Sequence, residues 1–433
     1  MAPPLGLLYI ARKLENAKDI VEILDFSAEP YNEQKLKIKV KSADVVGISV
    51  LTMSLKTTAK IIQTIKQVNP KIPVVIGGPH CTLFPKRALT ETNADICIPG
   101  DAENTILHIK KDLTKKVVKH RLVDINTVDF PARHLVQHYT YGLGFNPKMK
   151  PGQFTSIITT RGCPFNCRFC SRGSIRNQKF RTRSTVTILN ELLEIKKMGY
   201  THVAINDDCF PNNMQQAHHL FDALIKKNMN MKFYITAARV DSADETLYQK
   251  MKKAGVVHIQ FGLESANQDV LDFYNKKITV EQIKKAVNLS HKIGFFTAGT
   301  FIFGAPFETK THFEKTLQFA KSLPLDSVSF LPLRYMAGSE LWSQAVEEGK
   351  ISDDEYIVEA GCERNLSLFS QKEIIQFCKK AQRKFYMRPQ FMFRLFCDSL
   401  KRNDLSYIQI YILIIVSYLK QTIKTLFNQH QFL

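Results

Sequence analysis

The strongest constraint on this chain is a regular alternation of short apolar runs with stretches of helical periodicity. In the first hundred residues, four apolar runs have the length of strands, at residues 21–25, 45–50, 74–78 and 95–98. Helical spacing is found between them at residues 5–15, 54–68 and 83–90. Strands and helices that alternate at this pitch form βαβ units, which predict an α/β, doubly wound, Rossmann-like parallel sheet with helices on both faces.

The alternation resumes after a less regular stretch that contains Pro131 and Pro147. Six further runs predict strands, at residues 154–160, 202–206, 233–237, 256–262, 296–303 and 327–331. Helical spacing is clearest at residues 184–198 and 280–293. Six such units are too few for a closed eight-stranded barrel, so they predict a partial (β/α)6 barrel with its site at the carboxyl ends of the strands.

Beyond Ser339 the pattern is mostly helical, with a basic helix expected at residues 371–386. The chain is therefore expected to have four parts, at residues 1–112, 113–150, 151–345 and 346–433. The second part is expected to be a linker, and the fourth a basic, mostly helical C-terminal region.

The formal net charge of +20 favours acidic partners, such as nucleic acid, an anionic membrane surface or an acidic redox protein. Ten basic and two acidic residues lie between Lys379 and the C-terminus, and seven basic residues and no acid lie between Arg161 and Arg183. No stripe of interleaved aromatic and basic residues is evident, which argues against nucleic acid. The uncharged run at residues 405–419 is shorter than the roughly 20 residues of a membrane span, so it predicts a buried segment or peripheral membrane contact.

The nine cysteines are an odd number, and the chain opens without a charged and then apolar leader. Both features argue against a secreted, disulfide-bonded protein and favour a cytoplasmic one. Six of the cysteines are scattered and are expected to be small buried apolar residues. These six are Cys81, Cys97, Cys209, Cys362, Cys378 and Cys397.

The other three, Cys163, Cys167 and Cys170, fall within eight residues directly after the first strand of the second region. A compact loop brings such thiolates together, and Fe-S clusters are held by thiolates, normally four. Three ligands would leave one iron open, which marks a reactive site rather than a structural one. Zinc usually requires a second pair of Cys or His ligands, and none is evident. Three buried structural cysteines remain the other alternative.

The segment from Thr160 to Ser171 resembles the C-x3-C-x2-C signature of the radical S-adenosylmethionine superfamily. The resemblance implies a 4Fe-4S cluster on the three cysteines, with the amino and carboxylate groups of S-adenosylmethionine on its open iron. It further implies reductive cleavage to a 5′-deoxyadenosyl radical that abstracts hydrogen from a substrate. It also implies cofactor contacts at five other positions, namely Phe169, Asp207, Arg239, Glu264 and Ser265. The chain departs from the family pattern at Ala266 and Phe307, where glycine is usual.

The first region resembles the cobalamin-binding domain of one subclass, which includes anaerobic magnesium-protoporphyrin monomethyl ester cyclase and hopanoid-associated radical proteins. The implied contacts to cobalamin are Ser49, Thr52, Gly77, Gly78, Gly100 and Glu103. Two departures stand out. Only two residues precede Pro3, so either translation starts upstream or the sheet lacks its first strand, and no Asp-x-His-x-x-Gly element supplies an axial histidine. His80 is expected to be a turn residue rather than a cobalt ligand.

Three functions are compatible with these features. The first is a radical enzyme that functionalises a C–H bond of an unidentified, hydrophobic small molecule, by methyl transfer or oxidative rearrangement. The second is a cobalamin-free radical enzyme with a vestigial first domain, and the third is a basic Fe-S or zinc protein that binds nucleic acid. For the radical enzymes, the basic cluster from Arg161 to Arg183 is expected to dock an acidic electron donor, a flavodoxin or a ferredoxin.

Overall fold

The structure is a computed structural model that describes residues 2–109, 113–114, 117–119, 122–174, 180–402, 404–405, 408–409 and 411–412. Within these residues the chain forms two parallel sheets flanked by helices, which is an α/β fold. The six-stranded sheet follows the three-stranded one along the chain, and a mostly helical part follows both. The structure therefore confirms the α/β class expected from the alternating pattern.

The smaller sheet lies in the first hundred residues and has the strand order β1-β2-β3, all parallel. Its strands are β1 (Val46–Ser49), β2 (Val74–Gly77) and β3 (Ile96–Ile98). The helices around it are α1 (Leu5–Asn16), α2 (Glu33–Lys41), α3 (Leu55–Val68), α4 (Pro79–Leu83), α5 (Pro85–Thr92) and α6 (Thr105–Ile109). Ile62 and Ile65 of α3 are fully buried against Val74 and Ile76 of β2, so apolar burial joins helix and sheet.

The predicted strand at residues 21–25 is wrong, because no strand forms there. Side chains of the following segment bind this backbone instead of a neighbouring strand. The backbone N–H of Asp25 donates to the Tyr139 hydroxyl at 3.4 Å, and the Tyr141 hydroxyl donates to the Asp25 carboxylate at 2.7 Å. In the described residues β1 pairs with β2 alone, so its other edge is open.

The larger sheet has the order β4-β7-β8-β9-β10-β11, so neighbouring strands follow chain order and all run parallel. These strands are β4 (Phe154–Ile157), β7 (His202–Ile205), β8 (Lys232–Ala238), β9 (Val256–Glu264), β10 (Phe296–Phe303) and β11 (Ser327–Pro332). Two short strands, β5 (Thr160–Arg161) and β6 (Arg181–Thr182), form a separate antiparallel ribbon. The helices are α7 (Thr185–Lys197), α8 (Met214–Lys227), α9 (Glu245–Lys253), α10 (Gln268–Phe273), α11 (Val280–Ile293) and α12 (Lys310–Ser322).

One face of the larger sheet is covered by these helices, and every second residue of a strand points to it. On β9, Ile259, Phe261 and Leu263 are fully buried in the core that the helices share. The opposite face carries Tyr234 of β8 and Phe154 of β4, which pack with α1 and with residues 135–149. The segment after residue 122 therefore closes the amino-terminal half of this helix-free face.

Three buried charged side chains connect the segment after residue 122 to the larger sheet. Glu191 of α7 forms ion pairs at 2.5 Å with both Arg133 and Arg183, and all three side chains are at most 2% exposed. Arg133 also donates to the Ser156 carbonyl of β4 at 2.7 Å. This group, which we call the Glu191 triad, joins the segment, β4 and the residue after β6.

The C-terminal part packs against both sheets. Its elements are β12 (Arg334–Met336), α13 (Glu340–Glu347), β13 (Ile357–Glu359), α14 (Gln371–Tyr386) and α15 (Pro389–Lys401). Arg87 of α5 pairs with Asp353, and the Tyr356 hydroxyl donates to Glu91 at 2.5 Å. Among the described residues beyond 339, the longest elements are the helices α13, α14 and α15, and the predicted helix at residues 371–386 is present as α14.

Helix α15 leaves one apolar face uncovered. Four side chains of this face are between 45% and 72% exposed, namely Met392, Phe393, Phe396 and Leu400. The apolar run at residues 405–419 lies largely outside the described residues, although Tyr411 is buried beside Tyr386 and Phe391. Among the described helices, none combines the length and the apolar character that a membrane crossing requires.

Candidate active site

The three clustered cysteines lie in a loop at the carboxyl edge of the larger sheet. The ribbon of β5 and β6 holds the two ends of this loop together, and Gly162 turns the chain with a φ of +88° just before Cys163. The backbone N–H of Cys170 donates to the Cys167 carbonyl at 3.0 Å, which makes a tight turn. All three cysteines are only partly buried. The loop therefore presents three accessible thiols at the edge where ligands of parallel sheets bind.

The three thiols do not share one environment. A hydrogen bond from the Cys209 thiol lowers the pKa of Cys163 to about 6. Burial is the main cause that raises the pKa of Cys167 and Cys170, and the neighbouring thiols add to it. Cys163 is thus the thiol that is most readily a thiolate, the form that binds metal.

The donor set fits a 4Fe-4S cluster better than a single ion. In the described part of the chain, no group of three or more His, Cys, Asp or Glu side chains is close enough to hold one metal ion. The thiols of Cys163, Cys167 and Cys170 still interact electrostatically with one another. A cluster core spreads its thiolate ligands more widely than the tetrahedral shell of one zinc ion does. These three residues could therefore hold the cluster.

Charged and aromatic side chains surround the thiols. Glu264, at the end of β9, pairs with Lys276 at 2.5 Å, and both affect the Cys167 thiol electrostatically. Arg239 is 6% exposed, binds Asp241 and stacks over the Phe165 ring at 3.6 Å. Of the predicted cofactor contacts, Glu264 and Arg239 therefore lie close to the cysteines.

Phe169 also lies in this group, between Cys167 and Cys170. Its ring meets Tyr274 edge-on at 5.2 Å, and the Lys276 ammonium is 5.9 Å from its centroid. These contacts fix the ring against the segment that follows α10. The structure thus brings Phe169, Arg239 and Glu264 together around the three thiols.

Asp207 and Ser265 are bound to protein groups instead. Asp207 accepts hydrogen bonds from the backbone N–H groups of Thr159 and Thr160, at 2.6 and 3.2 Å, and from the Thr159 hydroxyl. Burial raises the pKa of Asp207 to about 6. Ser265 is fully buried and binds Thr316 and Asn267. Both residues therefore hold the strand ends in place.

Asp208, the neighbour of Asp207, is the carboxylate of this pair that lies beside the cysteine loop. It pairs with Arg172 at 2.5 Å, next to Cys170, and its side chain is 16% exposed. Successive side chains of an extended segment point in opposite directions, so Asp207 turns inward when Asp208 turns outward. The adjacent aspartates 207 and 208 therefore indicated a carboxylate at the site, although the sequence did not show which of the two faces it.

Glu308 fixes the loop after β10. One of its carboxylate oxygens accepts hydrogen bonds from the backbone N–H groups of Gly304 and Ala305, at 2.7 and 2.8 Å. The side chain is fully buried, and burial raises its pKa to about 7. The segment at residues 304–309 thus shapes one border of the site. Its glutamate, Glu308, holds the backbone of this segment by accepting hydrogen bonds.

The second candidate surface is the carboxyl edge of the smaller sheet. Ser49 ends β1, Thr52 follows it, and Gly77 with Gly78 ends β2. Gly78 has a φ of +99°, and a Cβ there would lie 3.0 Å from the Ser49 hydroxyl and 3.1 Å from the Val50 backbone. Gly78 is therefore required where the chain passes close to the end of β1, and cobalamin would bind at this edge, where parallel sheets hold their ligands.

His80 lies just behind this edge and is fully buried. Its Nδ1 atom is 3.3 Å from the Thr52 hydroxyl, and its ring meets Tyr356 edge-on at 4.8 Å. Burial lowers its pKa. His80 therefore lies in α4, not in a turn as expected, and packs between the first region and the C-terminal part.

An arginine joins the two edges. Arg161, two residues before Cys163, pairs with Asp101 at 2.9 Å and with Glu103 at 2.5 Å, and both acids follow Gly100 at the end of β3. Arg181 of β6 pairs with Asp101 as well. Burial alone would lower the pKa of Arg161, but the two carboxylates raise it overall. We call this group the Arg161 bridge.

The Arg161 bridge corrects two expectations. The basic cluster from Arg161 to Arg183 was expected to face an acidic partner, yet the Arg161 side chain is only 13% exposed and Arg183 only 2%. The Glu103 carboxylate, a predicted cobalamin contact, binds protein at 2.5 Å. Arg172, at 53% exposure, remains accessible, while Arg176 and Lys179 lie outside the described residues.

The six scattered cysteines were expected to be buried, and the structure confirms this for four of them. Four of them are buried, Cys81, Cys97, Cys209 and Cys378, whereas Cys362 is exposed and Cys397 is half-buried. Cys81 and Cys97 contact each other inside the first region. Cys209 differs from the other buried ones because its thiol contacts Cys163, a contact that the linear spacing did not reveal.

Comparisons with known proteins agree with this geometry. The sequence model of the Radical SAM superfamily matches residues 157–320, and that of the B12 binding domain matches residues 1–110. An uncharacterised methyltransferase of Pyrococcus horikoshii is 28% identical over 90% of this chain and 89% of the relative. The anaerobic magnesium-protoporphyrin IX monomethyl ester cyclase of Rubrivivax gelatinosus is 24% identical over 90% of this chain and 75% of the relative.

Two solved structures share the fold. The cobalamin-dependent S-adenosylmethionine radical enzyme OxsB superposes with a TM-score of 0.68 at 17% identity, over 98% of this chain and 73% of that chain. The radical S-adenosylmethionine methyltransferase TsrM from Kitasatospora setae gives a TM-score of 0.65 at 16% identity, over 80% and 74% of the two chains. Both regions of the chain thus have counterparts within one known architecture.

The two family matches name the cofactors of the two regions: a 4Fe-4S cluster with S-adenosylmethionine, and cobalamin. Both matches include the residues that were singled out from the sequence, and the clustered cysteines fall inside the first match. The chain is therefore an enzyme that contains a Radical SAM domain at residues 157–320 and a B12-binding domain at residues 1–110.

Proposed function

We propose that this enzyme transfers a methyl group to a carbon atom of a hydrophobic small molecule. The proposal assigns cobalamin to a doubly wound, Rossmann-like domain at residues 1–112 and S-adenosylmethionine to an open (β/α)6 barrel at residues 151–345. The Arg161 bridge is the observation that carries it, because a transfer between two cofactors requires their edges to face each other. The name of the relative from Pyrococcus horikoshii, a methyltransferase, supports the same reaction.

In this proposal Cys163, Cys167 and Cys170 hold the cluster. The chemistry that the cluster supplies when bound is the one-electron cleavage of S-adenosylmethionine to a 5′-deoxyadenosyl radical. The Glu264–Lys276 ion pair and Arg239 position the polar groups of S-adenosylmethionine, and Phe169 covers one side of the site. Ser49, Thr52, Gly77, Gly78 and Gly100 border the cobalamin, and Glu103 fixes the neighbouring loop through Arg161.

The products distinguish methyl transfer from other radical chemistry. We expect the reduced, reconstituted enzyme with cobalamin to form both S-adenosylhomocysteine and 5′-deoxyadenosine, because methyl donation and C–H cleavage leave different remnants of S-adenosylmethionine. Liquid chromatography with mass spectrometry under strict anaerobiosis measures both. Omission of cobalamin should remove S-adenosylhomocysteine and serves as the control.

Oxidative rearrangement is the second candidate, since two cyclases of magnesium-protoporphyrin are also similar to the chain, at 24% and 26% identity. That reaction requires C–H cleavage without methyl donation. Formation of 5′-deoxyadenosine alone, with cobalamin fully bound, would therefore favour rearrangement over methyl transfer. Absence of both products would contradict the radical function itself.

We also propose that an acidic flavodoxin or ferredoxin docks beside Arg172 and delivers the electron. Arg172 is 53% exposed, two residues after Cys170. Charge reversal, Arg172→Glu, should slow reduction by such a donor several-fold, because steering depends on complementary charge. Stopped-flow absorbance at the cluster measures the rate, and dithionite provides the reference reductant.

Arg334→Glu is the matched control for Arg172→Glu, because Arg334 is 49% exposed and is also paired with a carboxylate, that of Glu359. It should not change the rate with either reductant. Equal slowing of Arg172→Glu with the protein donor and with dithionite would show that the variant damages the cluster and would remove the docking proposal.

We propose in addition that the exposed apolar face of α15 makes peripheral contact with a membrane.

A further inference from the structure

A cavity of about 150 Å³ lies on the helix-free face of the larger sheet, away from the cysteines. His258 and Gln260 of β9 line it, together with Ala298 of β10 and Ser329 of β11, and Phe145 lies across it. His258 precedes Glu264 on the same strand by six residues, which is about 20 Å at about 3.3 Å per residue. The cavity is therefore at the opposite end of the sheet from the cluster site.

His258 is the polar side chain whose environment indicates a ligand. The side chain is 6% exposed, and its Nε2 atom has no hydrogen-bond partner among the described residues. Burial, with a smaller contribution from Arg402, lowers its pKa to about 3, so the ring is neutral at physiological pH. A buried polar atom without a partner costs free energy unless a ligand satisfies it.

The surroundings of His258 are aromatic and uncharged. Phe145 meets its ring edge-on at 5.1 Å, and Phe296 stacks on it at 5.1 Å. The described residues that line the cavity carry no formal charge, and the nearby Arg402 is paired with Asp326 at 2.9 Å. A carboxylate, phosphate or ammonium group would thus be desolvated there without a counter-charge.

From this cavity towards the cysteine loop, side chains on the helix-free face are less buried than those on the helix-covered face. On β9 the side chains that face the helices are fully buried, whereas Gln260 and Gly262, which alternate with them, are only partly buried. Thr300 pairs with Gly262 in the register of β10 and is likewise only partly buried. A long molecule can therefore lie along this face and reach both ends.

We propose that the cavity is a distal substrate subsite, which binds a neutral, ring-sized end group that carries one hydroxyl. The volume suits a ring, since a cavity of about 150 Å³ accepts benzene, and the polar side chains of Gln260 and Ser329 suit the hydroxyl. A hydroxyl is chosen because it can donate to or accept from a ring nitrogen of His258, whichever tautomer the ring adopts, and to or from the Gln260 amide or the Ser329 hydroxyl, which also line the cavity. The assignment rests on the proposed function, and it defines the substrate as an extended apolar alcohol or phenol whose reacting carbon is remote from the hydroxyl.

The test uses small probes on the full-length, anaerobically reconstituted protein. Fluorine NMR relaxation measures the affinities of 4-fluorophenol, fluorobenzene and 4-fluorobenzoate, without any turnover. We expect 4-fluorophenol to bind about tenfold more tightly than fluorobenzene, which is the net value of one hydrogen bond, and 4-fluorobenzoate to bind weakest. His258→Phe should bring the ratio of the first two probes close to one.

Two further variants keep the test decisive. Ala298→Leu fills the cavity and should weaken both neutral probes about tenfold or more, while His219→Phe, on α8 at the helix-covered face, should leave the ratio unchanged. Thermal unfolding checks that each variant is folded. Equal affinity of the two neutral probes, a preference that survives His258→Phe, or binding that ignores Ala298→Leu would each overturn the subsite. Because no product is measured, these outcomes are independent of whether 5′-deoxyadenosine forms.

Discussion

Replacement of Cys167 by alanine is expected to lower bound iron from about four atoms per chain to nearly none and to abolish 5′-deoxyadenosine formation. The reason is geometric: three thiols are available in the loop, and a cluster with two protein ligands has lost its third anchor. Cys163→Ala and Cys170→Ala should behave alike. Iron analysis, visible absorbance and product chromatography after identical reconstitution measure the loss.

Cys209→Ala decides how many cysteines are ligands. The Cys209 thiol contacts Cys163, so proximity alone would allow it to be a fourth ligand. If one iron is open for S-adenosylmethionine, Cys209→Ala keeps its iron, and so does Cys378→Ala, a buried cysteine remote from the loop. Iron loss in Cys209→Ala, or iron retention in Cys167→Ala, would contradict the three-ligand site.

The largest expected effect on stability comes from Glu191→Gln. The substitution removes the only negative charge of the Glu191 triad among the described side chains that form it, so Arg133 and Arg183 are left buried without a counter-charge. Breaking a buried ion pair by removing one partner costs about 3–5 kcal/mol. Chemical unfolding monitored by circular dichroism should show this decrease in the free energy of unfolding.

Glu194→Gln is the matched control, since Glu194 lies on the same helix, α7, and its side chain is 38% exposed. Its nearest paired cation, Arg12, is 3.8 Å away, and such a surface pair contributes at most about 1 kcal/mol. A decrease for Glu191→Gln no larger than that for Glu194→Gln would show that the triad does not hold the segment in place.

Periodicity predicted the regular elements well because burial imposes it. The helices at residues 280–293 and 371–386 and the strand at residues 296–303 end where they were expected. The strand at residues 21–25 was wrong because its composition is strand-like while its hydrogen bonds go to Tyr139 and Tyr141. Composition cannot show which backbone partners a segment will find.

The parts of the candidate site that follow from the spacing of residues along the chain were predictable from the sequence. The parts that depend on the direction of a side chain were not. The three cysteines and Glu264 lie at one edge because parallel strands end there. Asp207, by contrast, binds Thr159, and Glu103 binds Arg161, and both contacts join residues at least 48 positions apart. The histidine of the distal cavity gave no signal, since His258 reads as an ordinary strand residue.

The Arg161 bridge restricts which substitutions and domain exchanges a chain of this kind can tolerate. Asp101 serves two guanidinium groups at once, so a neutral residue at that position would leave Arg161 with one carboxylate and would remove an anion from Arg181. Recombination that exchanged the first region for that of a distant homologue would separate these partners in a single event. Chimeric enzymes built at this junction should therefore need residues 101, 103, 161 and 181 transplanted as one set.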